Sequence, residues 1–249
     1  MAGKLEGKVA LVTGGSSGIG EATALALVAE GAVVAAAARR ADRLDALARK
    51  VSDQGGRLLA LDLDVTDEAQ CRAAVERTRS EFGGLDIVVN NAGVMLLGPI
   101  LDADTDDWRR MINTNVLGLM YVTHAALPSM VAQGSGDIVN VSSVAGRVAR
   151  RGAGVYNASK WAVNAFTESL RQEVTGRGVR VSAVEPGYVA TELTEHITHG
   201  PSREESQQFG RSIRQLRADD IAHAIVYIVT QPDHVAINEV LVRPTDQER

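Results

Sequence analysis

The sequence has little cysteine, no excess of positive charge and no long hydrophobic run near its start, and each shortage excludes a class of protein. A single cysteine, Cys71, rules out an intrachain disulfide and indicates a reducing compartment. The formal net charge of -5, with acids and bases interspersed, gives no basic stripe for nucleic acid. The first apolar run stops at Thr13, unlike a signal peptide or a membrane span. We therefore expect a cytoplasmic protein with no nucleic-acid or membrane partner, and no residues have the spacing of a metal site.

Apolar runs of strand length alternate along the chain with amphipathic segments of helix length. The runs are continuous, which predicts strands covered on both faces, and their alternation with helices predicts parallel connections. The sequence thus predicts a three-layer α/β fold with a doubly wound parallel sheet of about seven strands, as one domain over residues 1–249. The predicted helices span residues 21–30, 41–54, 68–82, 108–132, 156–175 and 219–230.

Residues 191–217 form the one long segment without clear periodicity, and no strong helix start precedes Pro201. A segment of this length without regular structure is usually functional or mobile in a compact domain. We therefore expect a substrate lid over this segment. Within it, His196 and His199 are expected to be surface residues rather than catalysts.

The first predicted strand ends in TGGSSGIG, with glycines at positions 14, 18 and 20. Glycine at these positions lets the backbone turn tightly and approach a pyrophosphate, whose charge is met by the amino end of the following helix. Glycines also form ordinary turns between strands and helices, so the turn alone is a weak signal. Its place after the first strand and before a helix predicts a dinucleotide site.

Two arginines, Arg39 and Arg40, follow the second strand, where an enzyme specific for NAD would carry an acid. Guanidinium groups bind a 2′-phosphate through paired, charge-assisted hydrogen bonds, so the pair predicts NADP(H). The alternative is that both are solvated charges that open the next helix near Asp42 and Asp45. Asp64, at the end of the third strand, is expected beside the adenine or, alternatively, as an acid at a helix N-terminus.

Further polar residues follow in the second half of the pattern. The motif NNAG, residues 90–93, ends the fourth strand, at the sheet edge where ligands bind in this architecture, although a plain turn is the alternative. Asn115 lies inside a predicted helix, where asparagine is mildly unfavourable, so it is either functional or a satisfied core amide. Tyr156 and Lys160 are four residues apart on one helix face and can act as one chemical unit. A packed tyrosine with a solvated lysine is the common alternative for an isolated pair.

Together these motifs resemble the short-chain dehydrogenase/reductase family of single-domain, Rossmann-like, NAD(P)-dependent oxidoreductases. T-G-x-x-x-G-x-G, N-N-A-G, the serine at 143, Y-x-x-x-K and the Pro-Gly at 186–187 occur in the family's order and spacing. The resemblance implies a catalytic set of Asn115, Ser143, Tyr156 and Lys160. Tyr156 would protonate the carbonyl oxygen as hydride arrives, and Ser143 would polarise that oxygen. Lys160 would lower the pKa of the tyrosine and hold the nicotinamide ribose, and Asn115 would anchor a water that relays protons to it.

The resemblance also implies where cofactor and substrate bind. The expected cofactor, NADP(H), would contact Gly14, Ser16, Ser17, Gly18, Ile19, Gly20, Arg39, Arg40, Asp64, Val65, Asn91, Ala92, Gly93, Tyr156, Lys160, Pro186, Gly187, Val189 and Thr191. The expected substrate, a small carbonyl or alcohol compound, would contact Met95, Ser143, Val144, Tyr188 and Leu193. Arg147, Arg150 and Arg151 are near enough in sequence to meet an anionic group of the substrate, the alternative being that they are solvated.

The expected activity is reduction of an aldehyde or ketone by NADPH. An NADP-dependent 3-hydroxy acid dehydrogenase is the narrower alternative within the family. A dinucleotide-sensing regulator, which would keep the glycine-rich turn and lose the catalytic set, is the alternative from another class. By analogy with the family we expect a homotetramer, although the sequence itself carries no signal for an oligomer.

Overall fold

The structure, a computed structural model, describes residues 3–248. Its centre is a seven-stranded sheet in the order β3-β2-β1-β4-β5-β6-β7, with every neighbouring pair parallel. The predicted doubly wound parallel sheet is therefore confirmed. The strands are β1 (Val9–Thr13), β2 (Val33–Ala38), β3 (Leu58–Asp62), β4 (Ile87–Asn90), β5 (Gly136–Val141), β6 (Val179–Pro186) and β7 (Glu239–Val242).

Helices cover both faces of this sheet. They are α1 (Gly18–Ala29), α2 (Ala41–Asp53), α3 (Glu68–Phe82), α4 (Thr105–Ile112), α5 (Leu119–Gln133), α6 (Gly154–Val174), α7 (Gly200–Ser212) and α8 (Ala218–Val229). Alternate residues of a strand enter two apolar cores: on β1, Ala10 and Val12 join the core under α1 and α8, and Val9 and Leu11 join the core under α3 and α5. Both faces of the strand are apolar for this reason, which is why the strand sequences are continuous apolar runs.

The helix predicted at residues 108–132 is longer than expected and is interrupted. α4 begins after Asp104, whose side chain accepts a hydrogen bond from the backbone N–H of Asp106 at 2.8 Å. A π-helical segment (Asn113–Gly118) then joins α4 to α5. Such π segments are frequent at functional sites, and this one contains Asn115.

The helical stretch Thr105–Gln133 is long and apolar enough to cross a membrane by length and composition, with a mean hydropathy of 1.2. In the structure 44% of that apolar window is buried, and α5 packs against α3, β4 and β5. A core helix passes the same hydropathy test as a membrane span. Burial in the sheet's helical layer therefore accounts for the apolar composition of α5.

The segment 191–217 contains helices that the sequence analysis did not predict. A 3-10 turn (Glu192–His196) is followed by α7. His199 caps α7: its Nδ1 accepts a hydrogen bond from the backbone N–H of Ser202 at 3.3 Å and lies 2.9 Å from the Ser202 hydroxyl. Pro201 lies in the first turn, where a backbone N–H has no helical partner to lose. The expectation of no helix start was wrong because a histidine supplies the cap that Ser, Thr, Asp or Asn usually supplies.

Candidate active site

The carboxyl ends of the central strands open into one cavity of about 560 Å³. Its wall includes both the glycine-rich turn and the Tyr156–Lys160 pair, so the fold brings the two predicted functional segments together. Every predicted cofactor, substrate and catalytic residue lines this cavity except Gly20 and Asn115. Gly20 and Asn115 are buried behind the residues of the cavity wall and help to position them.

Backbone conformation shapes the glycine-rich turn after β1. Gly14 and Gly18 adopt φ angles of 66° and 55°, the left-handed region that favours glycine. Gly20 is confined for a different reason, because a Cβ on it would lie 2.2 Å from the carbonyl oxygen of Gly14. Gly20 therefore sets the path of the turn without facing the cavity.

Thr13, the last residue of β1, ties this turn to the NNAG segment after β4. Its Oγ1 accepts hydrogen bonds from the backbone N–H groups of Asn91 and Ala92, at 3.0 and 3.1 Å. The Asn91 side chain donates back to the carbonyls of Thr13 and Gly14, at 3.0 and 3.3 Å. The sequence analysis missed Thr13 as a site residue. The adjacency of β1 and β4 in the sheet gives Thr13 this role, and the sequence did not show that pairing.

The guanidinium group of Arg40 donates hydrogen bonds to three side chains. Its Nε and Nη2 donate to the hydroxyls of Ser16 and Ser17, at 3.1 and 2.6 Å, and its Nη1 donates to the Glu192 carboxylate at 2.8 Å. Arg43 donates to the same carboxylate at 2.6 Å. The two arginines hold the pKa of Glu192 down at about 2. Glu192, which was not predicted from the sequence, thus links the 3-10 turn after β6 to the arginines after β2.

Arg39 differs from its neighbour. It is exposed, lines the cavity and makes no hydrogen bond or ion pair with any residue that the structure describes. Neither Arg39 nor Arg40 pairs with Asp42 or Asp45. The alternative in which both arginines are solvated charges therefore does not describe Arg40.

Asp64 lies two residues beyond β3, which ends at Asp62, and not at the end of the strand as predicted. Its Oδ1 accepts hydrogen bonds from the N–H and the hydroxyl of Thr66, at 3.0 and 2.8 Å. The acid that caps α3 is Asp67, which accepts from two backbone N–H groups of the first turn. The alternative role of Asp64 at a helix N-terminus was therefore wrong, and Asp64 is a carboxylate in the cavity wall.

Asn115 is buried in the π-helical segment. Its Oδ1 accepts from the backbone N–H of Val94 at 2.8 Å, and its Nδ2 donates to the Val94 carbonyl at 2.9 Å and to the Ser159 hydroxyl at 3.1 Å. The side chain thus holds the chain after NNAG against α6. The side-chain groups that would anchor the expected water are engaged with protein atoms.

Ser143 follows β5 and begins a 3-10 turn (Val144–Gly146). Its hydroxyl accepts from a backbone N–H of that turn at 3.1 Å and donates to the carbonyl of Pro186 at 3.4 Å. Burial raises the pKa of Tyr156, and a hydrogen bond with Ser143 lowers it in part. The structure therefore joins Ser143 and Tyr156 as one polar pair in a buried site.

Lys160 lies one helical turn after Tyr156 and is also buried. Its Nζ donates to the carbonyl of Val141 at 2.9 Å and lies 5.9 Å from the centre of the Tyr156 ring. Burial lowers the pKa of Lys160 to about 8. The expectation that Lys160 lowers the pKa of Tyr156 was wrong for the protein alone, because the ammonium is itself desolvated and points at a carbonyl. Ser142 is turned away from this pair, since its hydroxyl donates to the Lys160 carbonyl at 3.2 Å.

Tyr188 fastens α7 to the cavity wall. Its hydroxyl donates to the carbonyl of Ser206 at 2.8 Å, and its ring packs edge-on against Phe209 with centroids 5.6 Å apart. Its backbone N–H donates to Oε1 of Gln247 at 2.8 Å. Phe209 and Gln247 line the cavity and were missed by the sequence analysis, because no local pattern links positions so distant along the chain.

Thr191 is the first residue of the segment predicted as a lid, and it lies against the glycine-rich turn. Its Oγ1 accepts from the backbone N–H of Leu193 at 3.4 Å, and a Cβ on Gly18 would lie 3.1 Å from its methyl carbon. His196 is exposed as expected and lines the cavity, whereas His199 caps α7. Residues 3–248 contain no group of three or more His, Cys, Asp or Glu that could hold a metal ion.

Arg147 does not line the cavity. Its Nε donates to both carboxylate oxygens of the fully buried Glu185, at 2.8 and 3.0 Å, and its Nη2 pairs with Glu239. The hypothesis that Arg147 meets an anionic group was therefore wrong, because two carboxylates already occupy its guanidinium group. Arg150 and Arg151 do line the cavity.

A glycine-rich turn and a Ser–Tyr–Lys cluster at one edge of a parallel sheet define a dinucleotide-dependent oxidoreductase. Residues 8–202 match the family described as short chain dehydrogenase, and the chain belongs to that family. An uncharacterized oxidoreductase of Staphylococcus aureus (strain MRSA252) is 38% identical over 240 residues, which cover 96% of this chain and 98% of that protein.

Other relatives extend this comparison. The glycine betaine reductase of Emericella nidulans is 42% identical over 246 residues, 98% of this chain, but the chain spans 19% of the length of that protein. Among solved structures, the closed form of serine dehydrogenase complexed with NADP+ is 35% identical, with a TM-score of 0.86 and coverage of 97% of this chain and 96% of that chain. The sequence and the architecture thus follow a family pattern over almost the whole chain.

Proposed function

We propose that the protein is an NADP(H)-dependent oxidoreductase that interconverts a small aldehyde or ketone and its alcohol. The observation that carries the proposal is the shared cavity, since Ser143, Tyr156 and Lys160 line it together with the glycine-rich turn. A dinucleotide turn and a protonated tyrosine hydroxyl in one cavity suit the delivery of hydride and proton to one carbonyl group.

The residues of the cavity fit a dinucleotide with a 2′-phosphate. Gly14 and Gly18 leave the turn without side chains, and the first N–H groups of α1 have no helical partners. Arg39 has no partner of its own among the described residues, and Arg40 lies beside it. The serine dehydrogenase solved with NADP+ supports the same cofactor for this chain.

The cofactor, when bound, supplies or accepts the hydride. Tyr156 holds the proton that the carbonyl oxygen needs, because burial raises the pKa of its hydroxyl and keeps it protonated at neutral pH. Ser143 has a long hydrogen bond to the Pro186 carbonyl, at 3.4 Å, and its hydroxyl is free to turn toward a substrate oxygen. Lys160, with a pKa of about 8, is mostly charged at neutral pH, and donates one of its three ammonium hydrogens to the Val141 carbonyl, which leaves two to hold the nicotinamide ribose.

Two narrower substrates are candidates within this activity. The segments MLLGP (95–99), HITH (196–199) and RPTDQ (243–247) resemble clavulanic acid dehydrogenase, the NADPH-dependent reductase of clavulanate-9-aldehyde. The likeness to serine dehydrogenase supports an NADP-dependent 3-hydroxy acid dehydrogenase. Both candidate substrates carry a carboxylate.

Initial rates with the purified protein test the proposal, comparing NADPH with NADH over aldehydes, simple ketones, β-keto esters and 3-hydroxy acids. We expect turnover with NADPH, lost in Tyr156→Phe, with NADPH affinity changed by less than about threefold because the ring still packs while the proton is gone. Tyr121→Phe on α5, outside the cavity wall, is the matched control and should keep the wild-type rate. Tight NADPH binding without turnover of any compound would contradict the proposal and favour a dinucleotide-sensing regulator.

We also infer that the protein is a homotetramer in the cytoplasm. Trp161 on α6, Tyr227 on α8 and Leu241 on β7 are 51%, 54% and 44% exposed, and such large apolar side chains support contacts with other copies. Light scattering after gel filtration tests the assembly, and a monomer at micromolar concentration would contradict it. Fractionation of cells that express the protein tests its location.

A further inference from the structure

One stretch of the cavity wall carries an arginine without a carboxylate partner. Arg150 lines the cavity, and its backbone N–H donates to Oδ1 of Asn157, the residue after Tyr156, at 3.1 Å. Its guanidinium group lies 5.9 Å from the ring centre of Phe209 on α7. The Arg150 side chain forms no ion pair or hydrogen bond with any residue in the described range. Its guanidinium group is therefore available to bind an anionic ligand.

A second arginine increases the positive charge at this place. Partial burial lowers the pKa of Arg150, and the charge of Arg243, just after β7, lowers it further. The Nε of Arg243 is buried and has no hydrogen-bond partner in the structure. Two guanidinium groups near each other, one with a buried unpartnered N–H, form an arrangement that an anion would stabilise.

The acids around the cavity do not neutralise this pair. Glu192 is bound by Arg40 and Arg43, and Asp64 accepts hydrogen bonds from the Thr66 N–H and hydroxyl. Glu185 and Glu239 are bound by Arg147. Glu205 on α7 also lines the cavity, and it makes no ion pair within residues 3–248.

The position of Arg150 separates it from the arginines assigned to the cofactor. Arg39 and Arg40 follow β2, whereas Arg150 belongs to the segment after β5, which is three strands further along the sheet. Neighbouring strands are about 4.8 Å apart, so the ends of β2 and β5, from which the two segments leave the sheet, lie roughly 14 Å apart. Arg150 is also tied through Asn157 to the helix turn that carries Tyr156. It therefore belongs to the part of the cavity where the carbonyl group would react.

We propose that Arg150, supported by Arg243, binds a carboxylate on the substrate, so that the substrates are oxo acids and the corresponding hydroxy acids. A planar guanidinium group can bind a carboxylate through two parallel hydrogen bonds, and it discriminates strongly against a neutral ester. Phe209 and Tyr188 supply apolar surface for the carbon chain between the carboxylate and the carbonyl group. This substrate class rests on the proposed oxidoreductase function.

Matched pairs of acid and ester test the substrate class. The substrates are succinic semialdehyde and its methyl ester with NADPH, and β-hydroxybutyrate and its methyl ester with NADP+. We expect wild-type kcat/KM to be at least about tenfold higher for each acid. Arg150→Gln should lower kcat/KM for the acids by about tenfold or more and leave the esters within about threefold. Arg150→Lys, which keeps the charge without the planar fork, should fall between the two.

Two further variants test whether the preference for acids depends on Arg150 itself or on any positive charge near the cavity. Arg203→Gln removes an exposed charge on α7 that does not line the cavity, and it should keep the preference for acids. Arg151→Gln removes the neighbouring charge of the cavity wall, and it should have the smaller effect. A preference for acids that survives Arg150→Gln and disappears in Arg151→Gln would overturn the assignment to Arg150.

Binding measurements keep this proposal distinct from the proposed function. Calorimetric titration of the same acids and esters, with and without NADP+, reports the carboxylate site without requiring turnover. Acid binding that depends on Arg150, with no turnover, supports the carboxylate site and contradicts the oxidoreductase. Equal turnover or equal binding of acid and ester, or no binding of any acid, overturns the carboxylate site.

Discussion

Glu192 controls how much positive charge the cofactor side of the cavity presents. With a pKa of about 2 it is ionised at neutral pH, and it accepts hydrogen bonds from Arg43 and from Arg40, the residue that we predict binds a 2′-phosphate. Its side chain is 34% exposed, so the competition is of the modest size typical of surface pairs. If Arg40 binds the phosphate as predicted, Glu192 and the phosphate compete for the same donors.

We expect Glu192→Gln to tighten NADPH binding by about threefold and to leave NADH binding nearly unchanged, because only NADPH carries the competing phosphate. Fluorescence titration of the reduced cofactors measures both. Glu195→Gln, in the same 3-10 turn and exposed, is the matched control and should change neither affinity. Weaker NADPH binding in Glu192→Gln would mean that the carboxylate positions Arg40 for the phosphate instead of competing with it.

Lys160 makes stability depend on pH in a direction that follows from its burial. Burial lowers its pKa from 10.5 to about 8, so between these values the unfolded chain holds a proton that the folded protein lacks. Stability therefore rises with pH across this window, by up to about 1.4 kcal/mol per pH unit for one proton. The raised pKa of Tyr156 works in the opposite direction only above the ordinary pKa of tyrosine, 10.0.

We expect Lys160→Met to remove this contribution, so that wild type gains stability relative to the variant as the pH rises from below 8 toward 10. Urea unfolding of both proteins at several pH values within the window measures the difference. Lys50→Met, an exposed lysine on α2, should track the wild type at each pH. A constant difference between wild type and Lys160→Met across the window would show that Lys160 keeps an ordinary pKa.

At the scale of elements, the π-helical segment fixes one loop of the active site. Asn115 satisfies both the N–H and the carbonyl of Val94, which no strand ladder satisfies, because β4 has already ended at Asn90. Removing the amide takes away the hydrogen bonds that it makes with these two backbone groups and with the Ser159 hydroxyl. Groups that lose a hydrogen bond in a buried place cost about 1–3 kcal/mol each.

We expect Asn115→Ala to lower the free energy of unfolding by about 3 kcal/mol. Asn113→Ala, an exposed residue of the same π-helical segment, should lower it by less than about 0.5 kcal/mol. Urea unfolding monitored by circular dichroism compares the two. Equal losses would indicate that the asparagines act through helix propensity and not through the clamp on Val94.

The elements differ in how far the sequence predicted them. β1, β2 and the helices on their flanks were predictable because apolar periodicity is local, and the order of motifs placed Tyr156 and the glycine-rich turn at one sheet edge. α7 was not predicted, since its cap is a histidine and its first turn holds Pro201. The contacts of Glu192 with Arg40 and of Arg147 with Glu239 could not be predicted. They join positions that lie 152 and 92 residues apart along the chain. Such pairings depend on strand order, which periodicity does not encode.

At the scale of the whole molecule, one thiol connects the core to the cavity. Cys71 on α3 is fully buried, and its Sγ donates to the carbonyl of Val65 at 3.4 Å, while Val65 lines the cavity. Burial raises the pKa of Cys71 to about 11, so the thiolate is scarce in the folded protein at neutral pH. Cys71 therefore becomes reactive only when the structure around α3 opens.

We expect Cys71 of the native protein to react with a thiol reagent such as DTNB at the rate of this opening. In denaturant the same thiol should react immediately and completely. If the opening also destroys the cofactor site, NADPH at 100 times its Kd should slow the labelling by about 100-fold, because ligand binding lowers the population of the open form by mass action. Cys71→Ser, which has no other thiol to label, gives the background rate. Labelling that NADPH leaves unchanged would show that the structure around α3 opens while the cavity stays intact. Rapid, complete labelling of the native protein would contradict the burial of Cys71.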